Sequence, residues 1–384
     1  MEKRKVLSLG IMHFLLDSYM GFFAIYLVIA QLDPRKAALI ITFTTFAGNI
    51  LQPFLGYTAD RIQGKLPLFF GMLIASISMS MIGLTVNYLL LFVFVLFGHL
   101  GSSLFHPAGA HVSSTAGHAD RDASFGIFST IGTIGFAFSQ PLFSAFTSKY
   151  GTHNSYILSF PTILIAVLYL LYSNIEIEGH TDSLHFREFR KVLARKFIPI
   201  FLLFLIMVFR SAFVYSIFSF VAKTFEEWGF SRPVYSSANT VFMIASAMGI
   251  LTAGYLAIRI KPRKLVVISL VGFFPFFLLF LHFGNIYKLI PAFVFLALSG
   301  FVLHGGYGIN IVMGHRIAPE MMSTISGILM GFAWATGSFG PTLCAFTHGV
   351  FPKIGGFTSG FLVMSIFPLV ATLFSLFLPK EVDG

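Results

Sequence analysis

The chain has 384 residues, of which 56% are hydrophobic, 17% aromatic and only 10% charged. Soluble globular chains carry about 25% charged residues, so this composition excludes a water-soluble domain of comparable size and makes the bilayer the solvent. The net charge of +10 does not mark a nucleic-acid binder, because Lys and Arg are dispersed over short loops instead of forming a patch or stripe.

Apolar runs of about 20 residues recur between short polar clusters, the length a helix needs to cross a hydrocarbon core. In chain order they predict spans over 7–32, 37–59, 66–86, 88–116, 123–148 and 154–174. The remainder predicts 197–222, 233–258, 265–284, 288–315, 322–349 and 355–379. The first run follows Lys3, Arg4 and Lys5, but no small-x-small cleavage pattern comes after it. It reads as an uncleaved span rather than a signal peptide. The polar stretch 175–196 reads as a cytoplasmic linker between two six-helix bundles, 1–174 and 197–384. With the N-terminus inside, 17 of the 25 Lys and Arg fall in inside segments and 7 in outside loops. The positive-inside rule then puts both termini in the cytoplasm of an inner, or cytoplasmic, membrane. The expected fold is all-α, with twelve transmembrane helices in two pseudo-symmetric bundles around a central cavity.

A shift of about 200 residues lays Ser124–Pro141 over Thr324–Pro341, both Gly- and Ser-spaced and both ending in proline. Gly126, Gly132 and Gly135 in one half, and Gly327 and Gly331 in the other, are expected at tight helix crossings. Cys344, the single cysteine, excludes an intrachain disulfide and reads as a small packing residue.

Ionisable residues inside spans are the functional candidates, because a charge in hydrocarbon costs roughly 2.5–3.5 kcal/mol on insertion scales. Asp17 is the only carboxylate in a span interior and is the expected proton-coupling group. His13 lies one helical turn before it, on the same face. His106, followed by Pro107, is the preferred coupling histidine among His106, His111, His304 and His315 of the fourth and tenth spans. Arg210 is the matching cation, an anion ligand or a partner for Asp17. Asn49, Gln52, His111 and Tyr215 complete the expected substrate-binding set. No metal-ligand spacing is evident, since His106 and His111 stand five apart without an acid or thiol. No cofactor is expected, and no G-x-x-x-x-G-K-[ST] loop occurs, which argues against direct ATP coupling.

The run Gly56-Tyr-Thr-Ala-Asp60-Arg61-Ile-Gln-Gly-Lys65 resembles the loop signature of the major facilitator superfamily. Its second-half counterpart, Gly254-Tyr-Leu-Ala-Ile258-Arg259, lacks the acid. By this resemblance Gly56, Asp60, Arg61, Lys65 and Arg259 belong to a cytoplasmic gate. Gly101-Ser-Ser-Leu-Phe-His106-Pro107, His13-Phe-Leu-Leu-Asp17 and Leu51-Gln52-Pro53 resemble the fosmidomycin-resistance family of drug exporters, departing from it at Ala108 and His111. The resemblance implies an antiporter that uses protons to export a small drug-like or anionic compound by alternating access, and the chain is expected to act as a monomer. Proton-coupled uptake of a metabolite is the alternative, and a membrane-embedded enzyme would want acids and histidines clustered at one membrane face.

Overall fold

The structure, a computed structural model, describes residues 3–61, 65–116, 121–173, 194–257, 259–318, 325, 327–348, 350–351 and 355–383. Within these helices the side chains of 3–4, 52–61, 107, 110, 111, 114–116, 121–126, 381 and 383 lie outside the description. Contacts divide the chain into two compact units, Met1–Thr181 with Arg232–Thr240, and Asp182–Ser231 with Val241–Gly384. Most of the linker expected over 175–196 lies outside the described residues.

The first unit contains α1 (Lys3–Met20), α2 (Phe22–Ile29), α3 (Pro34–Arg61), α4 (Leu66–Ser80), α5 (Tyr88–Ala116), α6 (Arg121–Tyr150) and α7 (Phe160–Tyr172). Helices α1 and α2 form the first predicted span, interrupted at Gly21 (φ −92°, ψ 0°). A Cβ at Gly21 would fall on the Ser139 hydroxyl, so the break sits where α6 crosses closely. Starts are marked chemically. Asp33 Oδ1 accepts from the Lys36 amide at 2.9 Å ahead of α3, and Asn87 Oδ1 accepts from the Leu89 and Leu90 amides at 3.0 and 3.2 Å ahead of α5. Pro67 and Pro161 stand in the first turns of α4 and α7, where a missing amide proton costs nothing.

The second unit contains α8 (Phe197–Glu227), most of α9 (Arg232–Leu256), α10 (Pro262–Asn285), α11 (Leu289–Ile317), α12 (Ala333–Gly337), α13 (Gly340–Phe346) and α14 (Gly356–Leu376). A π-helical turn, Gly327–Phe332, runs directly into α12. The Glu227 carboxylate accepts from the Phe357 amide at 2.9 Å and so caps α14. Arg263 and Arg316 donate to the carbonyls of Pro379 and Val382 at 2.7 and 3.2 Å, holding the C-terminal turn against the unit.

Ten helical stretches meet both the length and the hydropathy needed to cross a bilayer, counted among the described residues. Helices α3 and α6, with 28 and 30 residues, are long enough at about 1.5 Å rise per residue. Among the described residues there is no strand. This is a multi-pass, all-helical membrane protein.

Close crossings bear out the glycine pattern at Gly132 and Gly135 and correct it at Gly327. A Cβ on Gly135 would fall on the Phe14 carbonyl of α1, and one on Gly340 would fall on the Ala212 carbonyl of α8. The fifth helix of each half thus meets the first through a glycine, and the matching pairs Gly132/Gly135 and Gly337/Gly340 differ by 205 positions rather than about 200. Gly327, expected at a crossing, has open space where a Cβ would stand. Gly126 lies outside the described side chains.

Candidate functional site

In the first unit, α1 and α5 bring three ionisable side chains together. His13 and Asp17 are four residues apart on α1, and His13 Nε2 lies 3.1 Å from Asp17 Oδ2. His106 on α5 places its Nε2 3.4 Å from Asp17 Oδ1 and 3.0 Å from His13 Nε2. The other nitrogen of each ring is held by main chain: His13 Nδ1 lies 2.9 Å from the Phe128 carbonyl and His106 Nδ1 2.7 Å from the Ser102 carbonyl. A carbonyl only accepts, so each Nδ1 carries the hydrogen, and each ring in its neutral form would turn a lone pair at Nε2 inward.

The protein holds these rings firmly. His13 stacks on Phe128 with centroids 4.1 Å apart, and Gly132 leaves room for the imidazole, which a Cβ there would strike. Around them lie Leu9, Met12, Leu16, Met72, Phe105 and Phe128, all buried. Exposure rises across the cluster, with side chains of His13, Asp17 and His106 at 6%, 15% and 29%. With both rings neutral and Asp17 ionised, three acceptors converge and none can donate to another. One positive charge would complete the arrangement, by bridging the acceptors or by turning one of them into a donor.

The second unit holds Arg210 on α8, a guanidinium only 1% exposed. Nη2 donates to the Ser269 hydroxyl at 3.1 Å, whereas Nε and Nη1 have no hydrogen-bond partner. Gly306 makes space for it: a Cβ there would stand 2.7 Å from Nη2. His304 and Tyr307 of α11 lie within electrostatic range of Arg210, and Tyr307 stacks on Trp334 of α12 with centroids 6.1 Å apart. Among the described residues no carboxylate pairs with Arg210. Both polar clusters draw on the first and fourth helices of their own halves, and that of Arg210 adds Ser269 of α10.

The expected residues divide accordingly. His13, Asp17 and His106 converge, and Asp17 draws its partners from its own unit. Arg210 stands with Ser269, His304 and Tyr307. Tyr215 lies one turn after Ser211 on α8, with its ring 6.2 Å from Phe218. Asn49 turns its amide to the Thr45 carbonyl of its own helix at 3.0 Å. Lys65 reaches the Leu170 carbonyl at 3.4 Å near the end of α7, where the helix dipole favours a cation, and Arg259 lies 5.9 Å from the Tyr255 ring centre. The side chains of Gln52, Gly56, Asp60, Arg61 and His111 lie outside the described residues. Sequence reasoning missed Ser269 and Tyr307, and read His304 only as a member of a histidine set. The signal available for His304 and Tyr307 was their place on α11, the helix related to that of His106, while Ser269 on α10 carried no such signal.

Comparison with known proteins agrees with this architecture. The sequence pattern of the Major Facilitator Superfamily matches residues 6–227 and 201–384. An uncharacterized MFS-type transporter of Bacillus subtilis, YfnC, is 23% identical, with 98% of this chain and 93% of that protein covered. The fosmidomycin resistance protein of Escherichia coli is also 23% identical, with 78% of this chain and 75% of that protein covered. Among solved structures, a bacterial homologue of the human lysosomal transporter Spinster, in an inward-facing and unoccupied conformation, superposes with a TM-score of 0.81 at 15% identity. It covers 99% of this chain and 97% of that one. The family pattern spans both halves, and this chain belongs to the Major Facilitator Superfamily.

Proposed function

We propose that this protein is a proton-coupled secondary transporter that exports a small drug-like or anionic compound by alternating access. The observation that carries the reading is the buried guanidinium of Arg210. Desolvating a cation is expensive, and a buried one is ordinarily balanced by an acid. Here two of its nitrogens have no partner, while Ser269, His304 and Tyr307 surround it with groups able to hydrogen-bond an oxyanion. A phosphonate or carboxylate would engage the planar fork through two parallel hydrogen bonds.

Coupling is assigned to His13, Asp17 and His106, whose three inward-facing acceptors call for one positive charge. Supplied by a proton, that charge would tie α1 to α5, and its loss would release them. Lys65 and Arg259 are assigned to the cytoplasmic gate together with Gly56, Asp60 and Arg61. The fosmidomycin resistance relative supports export over uptake, and the inner membrane with cytoplasmic termini remains the proposed setting.

The test is reconstitution in vesicles with an imposed pH gradient and a panel of phosphonates, organic anions and drugs. One compound should trigger proton movement across the membrane, and Arg210→Lys should weaken its apparent affinity. Compound flux unaffected by collapsing the gradient would reject proton coupling.

A further inference from the structure

We propose that His13, Asp17 and His106 form a binding site for one divalent d-block cation of the zinc class. Zinc bonds to imidazole nitrogen and carboxylate oxygen are about 2.0–2.2 Å long and tetrahedral in arrangement, which sets neighbouring ligand atoms roughly 3.3–3.5 Å apart. Here the two Nε2 atoms stand 3.0 Å apart, Asp17 Oδ2 lies 3.1 Å from His13 Nε2 and Asp17 Oδ1 lies 3.4 Å from His106 Nε2, and one ligand atom from each residue lies within 4.8 Å of the other two. A turn of the Asp17 carboxylate, with small shifts of the two rings, brings one oxygen and the two nitrogens to three corners of that tetrahedron.

The outer contacts fit the same chemistry. A metal-binding histidine normally donates its second ring nitrogen to a carbonyl or carboxylate, which fixes the tautomer and aims the lone pair. Both rings do this, through the carbonyls of Phe128 and Ser102. The donor set of two imidazoles and one carboxylate suits zinc, iron, cobalt or nickel, whereas calcium and magnesium take oxygen ligands. Burial is graded, with His13 at 6% exposure and His106 at 29%. That gradient leaves a fourth position for water on the His106 side, as in an exchangeable site.

Such an ion would occupy the lone pairs assigned to the coupling proton and block the transport cycle. That consequence rests on the proposed coupling role, whereas binding is measured without transport. The experiment is titration of cobalt(II) into the purified full-length chain, isolated in detergent without a histidine tag. The expected result is a visible absorption band of tetrahedral cobalt that saturates at one ion per chain and is displaced by zinc. His13→Ala, Asp17→Asn and His106→Ala should each weaken binding at least about tenfold. His153→Ala, on an exposed turn, should leave it unchanged.

Absence of the band in the unaltered chain would overturn the proposal whatever the variants do. Unchanged affinity in all three variants would overturn it too. Cobalt binding by the unaltered chain together with undiminished proton-driven transport by Asp17→Asn would sink the coupling reading and leave the metal site standing. No binding beside an inactive Asp17→Asn would do the reverse.

Discussion

At the scale of single residues, two ionisable side chains within membrane helices, Asp17 and the buried Arg210, each make a separable prediction. Asp17 lies in a membrane helix with two imidazoles within 3.4 Å. Asp17→Asn keeps the shape and removes the negative charge, so expression should persist while gradient-driven transport is lost. Transport by that variant at the parent rate, measured in proton-loaded vesicles, would remove Asp17 from the coupling step. Arg210 predicts an opposition between stability and function. Replacing a buried ionic group by an apolar residue of similar volume is often neutral or stabilising by about 1–4 kcal/mol. Arg210→Met should therefore melt in detergent at the same temperature or higher while losing transport of anions. A loss of stability of about 3 kcal/mol or more would mean that the guanidinium serves the fold instead.

At the scale of helices, association in lipid depends on close backbone approach. Gly135 faces the Phe14 carbonyl and Gly340 faces the Ala212 carbonyl, so neither neighbour can rotate away from an added methyl. Gly135→Ala and Gly340→Ala should each cost about 1–3 kcal/mol, read as earlier denaturation in detergent. Gly327→Ala is the contrasting case, because its Cβ meets only open space. Alanine is the better helix former by up to about 1 kcal/mol, so that variant should be neutral or stabilising. The contrast explains what the glycine spacing concealed: sequence gives the spacing of small residues, but not which face of a helix meets a neighbour.

At the scale of the molecule, the spans were legible because each is set by a local quantity, the length of an apolar run. Helix α5, for instance, occupies Tyr88–Ala116, the predicted span. The candidate site was legible only in parts. His13 and Asp17 could be joined from their four-residue spacing, since one turn of helix brings them together. His106 lies 89 positions after Asp17, and only the packing of α5 on α1 closes that distance. The metal-like geometry was therefore invisible to a search for short ligand spacings. Tyr307 and Ser269 were missed for the same reason, because Arg210 meets them across helices α10 and α11.

The central claim is that a proton gradient drives movement of a small compound through this chain. It is tested most directly by following internal pH in proteoliposomes while phosphonates and organic anions are added one at a time. The account predicts that at least one compound moves protons through the parent protein, and that the movement disappears in Asp17→Asn. Compound transport that proceeds equally with the pH gradient collapsed would contradict it.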